Sequence, residues 1–260
     1  MRLPRLPRRA PALVVSEERG VRHLHVGGEA IQSAMRLDDP FALELDYTRC
    51  MMAFLLFHPD PRRALMIGLG GGSLAKFFHR RLPALRTRAV EYDARVIEAA
   101  RSLFHVPPDD ARLTVEHGDG VDALAPECCD LLVVDGFEDE STPAKLVSQE
   151  FFDACWCALR EPGILVMNFM DDDREFDRRL ERVERAFGGA VLAFHALRDP
   201  NIVVFALKGG PAAVPWRELR ARAAALERRH GLPFTRMVER LRAMNRWDAQ
   251  ALQVAGTAKA

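Results

Sequence analysis

The sequence predicts an α/β protein with a largely parallel sheet of seven strands, in which the last strand runs in the opposite direction. From residue 63 onwards, short apolar runs alternate with stretches of helical periodicity, a pattern typical of a parallel sheet with helices on both faces. Only Arg198, Asp199 and Pro200 separate the last two apolar runs, and three residues are too few for a parallel crossover. Four glycines, at 68 and 70–72, separate the first apolar run from the first helical stretch.

The predicted strands follow the apolar runs, and we expect a helix after each of the first five. The strands cover about 64–68, 86–91, 112–117, 130–135, 163–169, 190–196 and 201–207. A single reversed strand at the end of such a series is associated with the class I S-adenosylmethionine-methyltransferase-like, or Rossmann-like, fold. A dinucleotide-binding dehydrogenase would be expected to keep all its strands parallel.

Further segments flank the predicted sheet. Residues 1–11 are rich in Arg and Pro and are expected to be a disordered tail. Three alternating runs within residues 12–40 predict a small antiparallel β-meander. We assign residues 41–210 to the Rossmann-like catalytic domain, whose first helix is predicted from Phe41 to Phe57. Residues 211–260 are then a C-terminal helical extension.

Two amphipathic helices are predicted in this C-terminal extension. The first begins at Pro215 and ends at about His230, and the second runs from Pro233 to about Trp247. Their arginines alternate with acids such as Glu218, which is typical of a solvated face. We therefore expect the apolar stripes to dock on the sheet or on a second subunit, and not on nucleic acid.

Composition excludes several classes of function. Lys and Arg total 37, as do Asp and Glu, so no basic field for nucleic acid is indicated. The longest apolar stretch, Cys50 to Phe57, is too short for a bilayer, and the amino terminus lacks the apolar core of a secretory signal. We therefore expect a cytoplasmic protein with no membrane partner. No metal site is expected, since His23 and His25 lack a third ligand and the five cysteines lack zinc spacing.

The glycine cluster predicts a binding turn. Gly68, Gly70, Gly71 and Gly72 follow a buried strand, and Ser73 opens a helix. Glycine permits positive φ and the close approach of a ligand, while the amino terminus of the helix offers unpaired N–H groups. The turn therefore suits a ligand of nucleotide size, although such turns also occur for packing alone.

Carboxylates at three successive strand ends narrow the choice of ligand. Glu91 lies where it can accept hydrogen bonds from both ribose hydroxyls, and Asp119 lies where it can reach an adenine amino group. Asp135 ends the apolar run DLLVVD at the same edge of the sheet. Each of them alone could be a helix cap or a turn residue. Together with the glycine turn they predict an adenosine-containing ligand.

With these features the chain resembles the spermidine synthases, or polyamine aminopropyltransferases. The resemblance extends from about Val14 to Val166 and combines several motifs, none of which is specific alone. They are the N-terminal meander with Gln32, the helix with Tyr47, MIGLGGGS at 66–73, VEYD at 90–93, GDG at 118–120, VVDGFED at 133–139, Pro143-Ala144 and SQEFFDACWCALREPGILV at 148–166.

The resemblance implies a role for each matching residue. Gln32, Glu91, Asp119 and Gly120 would contact the nucleoside of decarboxylated S-adenosylmethionine, and Asp135 would accept the amine proton. Either Glu138 or Asp139 would take the place of the family's second aspartate, and Pro143 is expected in the substrate site. Tyr47 could line the amine channel or be a half-buried packing residue of its helix. The resemblance implies a donor that is a co-substrate, no permanently bound cofactor, a polyamine acceptor and a homodimer.

The departures from the family concern the donor and the acceptor. Gly71 stands where family members have an aspartate that holds the aminopropyl ammonium and would disfavour a donor with its own carboxylate. Thr48 replaces a histidine and Arg49 replaces an acid. Beyond about residue 210 no resemblance is found.

Aminopropyl transfer is the function that the residues favour. An alkyl amine with a pKa near 10.4, as in lysine, must lose a proton before it attacks, and Asp135 can accept that proton. The acidic run at 138–140 could attract a polyamine or be a solvated loop. Two alternatives stay open: an S-adenosylmethionine-dependent methyltransferase, favoured by Gly71, and a non-catalytic member that binds a polyamine or nucleoside, suggested by Thr48 and Gly71.

Overall fold

The computed structural model describes residues 12–136 and 143–255. The strands are β1 (Leu13–Glu18), β2 (Val21–Val26), β3 (Ser33–Arg36), β4 (Arg63–Ile67), β5 (Arg86–Glu91), β6 (Leu113–His117), β7 (Cys129–Val134), β8 (Leu159–Met170), β9 (Val191–His195), β10 (Asn201–Lys208), β11 (Ala213–Pro215) and β12 (Ala251–Gln253). The α-helices are α1 (Asp46–Met51), α2 (Ser73–Arg81), α3 (Ala94–Ser102), α4 (Gln149–Ala158), α5 (Phe176–Ala186), α6 (Trp216–His230) and α7 (Phe234–Met244). Short 3-10 helices cover Met52–Leu56 and Ala144–Val147.

The central sheet has seven strands in the order β6-β5-β4-β7-β8-β10-β9. Strands β4 to β8 pair in parallel, whereas β10 is antiparallel to both β8 and β9. The predicted Rossmann-like sheet with a reversed last strand is confirmed. The reversed strand is inserted between β8 and β9, so that Asn201 at its beginning lies opposite Met170 at the end of β8.

Both faces of the sheet are buried, as the near-continuous apolar runs of its strands require. Along β4, Ala64 and Met66 face one core, while Leu65 and Ile67 face another. Helices α1, α2, α6 and α7 cover the first face, and α4 and α5 cover the second. The doubly wound arrangement places the carboxyl ends of four parallel strands, β4 to β7, along one edge.

The predicted β-meander is present as the antiparallel sheet β1-β2-β3. Leu24 and Met35 of this sheet pack with Val96 of α3 and with Phe104 in a small separate core. This contact brings β3 beside the glycine turn, where Ser33 and Gly71 meet. The predicted domain boundaries stay a prediction, and the tail at 1–11 lies outside the described residues.

The prediction of a helix after the strand at 112–117 is wrong. Residues 118–128 form turns, because Gly118, Gly120 and Pro126 disfavour a helix and Asp119 closes a turn by accepting the backbone N–H of Val121 at 3.0 Å. The segment still contributes Ala123 to the second core. Hydrophobic residues at the right place were therefore not sufficient for a helix.

The helix predicted from Phe41 to Phe57 is only partly present. The α-helix begins at Asp46, and the chain continues from Met52 as a 3-10 helix. A side chain distant in sequence supports the start of the helix, since Oδ2 of Asp199 accepts the backbone N–H of Tyr47 at 3.0 Å. Such a tertiary contact is invisible to local sequence patterns.

The C-terminal helices dock on the sheet, in line with one of the two predicted alternatives. Leu219 of α6 and Leu241 of α7 are buried in the first core. The second helix ends at Met244, short of the expected Trp247, because the Asn245 side chain pairs with both backbone groups of Ala193 on the edge strand β9. None of the described helices is long and apolar enough to cross a membrane.

Candidate active site

A cavity of about 870 Å³ opens at the carboxyl ends of β4, β5, β6 and β7. Its lining includes most of the predicted site residues, namely Gln32, Tyr47, Gly68, Gly70, Glu91, Asp119, Gly120, Asp135 and Pro143. The described structure thus brings together groups from seven separate parts of the chain. Gly71 and Gly72 do not line this cavity, and Glu138 and Asp139 lie outside the described residues.

The first glycine of the turn lets two strand ends approach each other closely. Gly68 has a φ of +95°, and a Cβ there would lie 2.3 Å from the backbone oxygen of Asp135. The same strand ends are joined by a hydrogen bond of 3.0 Å from the Asp135 N–H to the oxygen of Ile67. Any side chain at 68 would therefore push β7 and its terminal carboxylate away from the turn.

Gly71 faces the meander. Its N–H donates to Oγ of Ser33 at 2.8 Å, and a Cβ there would lie 2.9 Å from both Ser33 Cβ and Phe104 Cδ1. In this arrangement the place of the family's aspartate has no room for a side chain. Ser33 and Phe104 thus occupy the space that a side chain at position 71 would need.

Glu91 at the end of β5 is fixed by two backbone donors. Its Oε2 accepts the N–H of Leu69 at 2.9 Å, and its Oε1 accepts the N–H of Asp93 at 3.0 Å. Because an ionised carboxylate can accept about four hydrogen bonds, each oxygen keeps acceptor capacity towards the cavity. This geometry suits a ligand that presents two adjacent hydroxyls.

Asp119 forms an ion pair that the sequence analysis missed. Its Oδ2 accepts from Lys145, and this hydrogen bond, with a smaller charge effect, holds the pKa of Asp119 below its usual value. The Lys145 ammonium also lies 4.8 Å from the centre of the exposed Tyr92 ring. Both partners of the lysine line the cavity. The sequence carries no signal for this contact beyond the closeness of Lys145 to Pro143.

Asp135 is the buried carboxylate of the site. Its Oδ2 accepts from the Tyr47 hydroxyl at 3.2 Å and its Oδ1 accepts from Asn168 Nδ2 at 3.0 Å. Burial raises the pKa of Asp135 to about 6, and the two hydrogen bonds oppose that rise. Burial also raises the pKa of Tyr47, and the nearby Asp135 charge adds to the effect. Asp135 is therefore a base near neutral pH, whereas Tyr47 stays a neutral donor.

Two amide side chains of this site were missed from the sequence. Asn168 lies near the carboxyl end of β8 and is buried, and Asn201 at the start of β10 donates to its Oδ1 at 3.0 Å. An asparagine within the otherwise apolar run ILVMNFM was the available signal, because buried polar side chains require partners.

Comparison with known families gives one match that covers half of the chain. The sequence model described as the spermine/spermidine synthase domain matches residues 44–174. This range contains the glycine turn and all three strand-end carboxylates of the cavity. The meander and the C-terminal extension lie outside it.

Individual proteins extend the similarity along the chain. The polyamine aminopropyltransferase of Chromobacterium violaceum is 38% identical over 246 residues, which are 94% of each chain. Among solved structures, a probable spermidine synthase from Corynebacterium glutamicum superposes with a TM-score of 0.70 at 23% identity over 86% of both chains. Human methyltransferase-like protein 13 in complex with SAH gives a TM-score of 0.64 at 24% identity, covering 79% of this chain and 96% of its own. These two structures are similar in fold.

Proposed function

Because this chain belongs to the spermine/spermidine synthase family, we propose that it is a transferase that moves an aminopropyl group from decarboxylated S-adenosylmethionine to a di- or polyamine such as putrescine. The observation that carries the proposal is Asp135, a buried carboxylate with a pKa of about 6 at the end of β7. It lies in the same cavity as Glu91 and the glycine turn. A base thus stands beside a site suited to a nucleoside.

The donor's nucleoside would occupy the side of the cavity formed by β4, β5 and β6. Glu91 would accept the ribose hydroxyls, as its two backbone-held oxygens allow. Asp119 would face the adenine amino group, and Gly120 and Gln32, which also line the cavity, would contact the nucleoside. The glycine turn between β4 and α2 would leave room for the chain that links the ribose to the sulfonium.

The transfer step is a displacement at carbon. The amine nitrogen attacks the propyl carbon bound to sulfur, and the C–S electron pair goes to sulfur, so that neutral methylthioadenosine leaves. The attacking amine must be neutral, and Asp135 accepts the proton that it loses. Tyr47 and Asn168 hold the two oxygens of Asp135 in place, which supports a fixed orientation of the amine.

The acceptor would enter next to Asp135. Tyr47, which contacts Asp135, and Pro143 both line the cavity, and the acidic run that includes Glu138 and Asp139 follows Asp135 in sequence. We propose that one of these two carboxylates binds the distal ammonium of the amine. A homodimer and a cytoplasmic location belong to the same proposal.

Methyl transfer is the second candidate, and Gly71 favours it. No carboxylate stands in the glycine turn to repel the carboxylate of intact S-adenosylmethionine, and Ser33 and Phe104 fill the space of a side chain there. Methyl transfer would yield S-adenosylhomocysteine, whereas aminopropyl transfer yields methylthioadenosine. The two reactions are therefore separated by their nucleoside products.

A product assay by mass spectrometry tests the proposal. The protein is offered S-adenosylmethionine and its decarboxylated form, each with putrescine, cadaverine and spermidine. Methylthioadenosine together with a lengthened amine, both lost in Asp135→Asn, is the expected result. S-adenosylhomocysteine would establish methyl transfer instead, and no turnover of either donor would favour a binding function.

A further inference from the structure

A chain of buried amides leads from the reversed strand to the carboxylate of Asp135. Asn201 Nδ2 donates to Asn168 Oδ1 at 3.0 Å, and Asn168 Nδ2 donates to Asp135 Oδ1 at 3.0 Å. Asn168 is 2% exposed and Asn201 is 6% exposed. Because water does not reach these side chains freely, each polar atom depends on its protein partner.

The donor and acceptor directions of these hydrogen bonds follow from the chemistry of the Asp135 carboxylate. An ionised carboxylate only accepts hydrogen bonds, so Asn168 can face Asp135 only with its NH₂ group. The oxygen of Asn168 then points away from Asp135 and requires a donor of its own. The Asn201 NH₂ group supplies that donor.

The backbone holds Asn201 firmly in place. Its N–H donates to the oxygen of Asp199 and its oxygen accepts from the N–H of Ala196, each at 2.8 Å. The side chain therefore leaves a tight turn at the first residue of β10. Such a position is rigid enough to hold a neighbouring amide in one orientation.

We propose that Asn201 is a positioning residue that locks the amide of Asn168 with its NH₂ group towards Asp135. The inference rests on the proposed function, in which Asp135 accepts the amine proton. Without Asn201 the Asn168 amide can turn over and present its oxygen to the carboxylate. Asp135 would then hold its proton to higher pH and would lose its fixed orientation.

Other groups that could influence the same carboxylate come from the surrounding elements. The hydroxyl of Tyr47 in α1 donates to Oδ2 of Asp135, and the side chain of Asp199 in the β9–β10 turn accepts the backbone N–H of Tyr47. Glu91 of β5 and the Asp119–Lys145 ion pair line the same cavity. Substitution of Asn201 leaves all of these groups in place.

The test is the pH profile of kcat/KM for Asn201→Leu, Asn168→Leu and the double variant. We expect the acidic limb to move up by about half a pH unit in Asn201→Leu and by about one unit in Asn168→Leu. In the double variant the limb should stay where Asn168→Leu alone puts it, because Asn201 acts through Asn168. An unmoved limb in Asn201→Leu, or shifts that add, would overturn the proposal.

One further measurement tests this inference without relying on enzyme activity. The carbonyl stretch of protonated Asp135, assigned by its loss in Asp135→Asn, is followed by infrared titration without substrate. If the wild type transfers no aminopropyl group but the Asn201→Leu and Asn168→Leu variants still show these shifts in the infrared titration, the proposed function is refuted and the positioning role is supported. Arg198→Ala, an exposed side chain on the same turn, is the control and should move nothing. If Asn201→Leu does not fold, Asn201→Ser is measured in its place and should also raise the limb.

Discussion

The Tyr47 hydroxyl donates to Oδ2 of Asp135 across 3.2 Å, while the other oxygen of that carboxylate is held by Asn168. Tyr47 is itself almost fully buried, and the lining of the cavity includes both residues. The buried carboxylate thus has one donor from a helix and one from the sheet. Its remaining lone pairs are available to a substrate amine.

Replacement of Tyr47 by Phe should raise the pKa of Asp135, because the hydrogen bond from Tyr47 favours the ionised form. We expect the acidic limb of the pH profile to move up by about one unit, so that kcat falls by about tenfold at pH 5 and by about twofold at pH 7. Steady-state kinetics across pH 5 to 9 would measure both. Tyr92→Phe removes a hydroxyl from the exposed ring at the cavity mouth and should leave the limb unmoved. A limb that moves equally in both variants would contradict the assignment to Asp135.

Asp135 should also make the protein less stable as pH rises. Its pKa is about 6 in the folded protein against 3.8 for the free side chain, so the folded state binds more protons than the unfolded state between these values. The contribution of the protonated Asp135 to the free energy of unfolding is fully present below pH 3.8 and is lost as pH rises through 6. Asp135→Asn removes this dependence. From pH 4 to pH 7 the free energy of unfolding of the variant should therefore rise by about 2 to 3 kcal/mol relative to that of the wild type. Urea denaturation of both proteins at the two pH values measures the difference, and parallel curves would refute a raised pKa.

Glu91→Gln should weaken binding of the donor with little effect on the chemical step. The amide supplies one acceptor atom in place of two, so that it can no longer serve Leu69, Asp93 and both ribose hydroxyls. We expect the KM for the donor to rise by about 10- to 100-fold with kcat within about threefold. Glu116→Gln on the neighbouring strand β6 removes only an exposed pair with Arg88 and is the matched control. A loss confined to kcat would place Glu91 in the chemistry and not in nucleoside binding.

Gly71→Ala should destabilise the protein, although a Cβ is the smallest possible addition. The new methyl group would lie 2.9 Å from atoms of both Ser33 and Phe104, and such overpacking costs about 1 to 3 kcal/mol. Gly118→Ala is a matched comparison, since its Cβ would meet only Val90 at an ordinary 3.6 Å. Thermal unfolding of both variants tests this, and equal melting temperatures would show that Phe104 gives way easily.

Much of the fold followed from sequence because its signals are local and repeated. Apolar runs, glycines and the short 198–200 connection predicted the parallel sheet and its reversed strand. The start of α1 at Asp46 did not follow, because the group that accepts the Tyr47 N–H is Asp199, far away in the chain. The missing helix after β6 shows the converse case, in which the Asp119 side chain closes a turn that hydrophobic spacing alone does not reveal.

The site was predictable where a side chain follows a strand directly. Glu91, Asp119 and Asp135 all line the cavity as expected, although their roles stay predictions. The partners of these carboxylates were not predictable in the same way. Lys145 reaches Asp119 from the 3-10 helix Ala144–Val147, and Asn201, at the start of the reversed strand β10, reaches Asp135 only through Asn168. Only the folded chain brings these groups together.

The reversed direction of β10 has a consequence for how this site tolerates change in length. Strands β4 to β7 present their carboxyl ends to the cavity, so the loops that follow them can lengthen at their outer parts without moving the strands. Strand β10 presents its first residue instead, and the turn that leads into it has only Arg198, Asp199 and Pro200 between Leu197 and Asn201. One inserted residue there would displace the groups that hold both Tyr47 and Asn168. Related chains can therefore vary the lengths of the loops in the parallel half of the sheet. The length of the β9–β10 hairpin is fixed, because its residues hold the two partners of Asp135 in place.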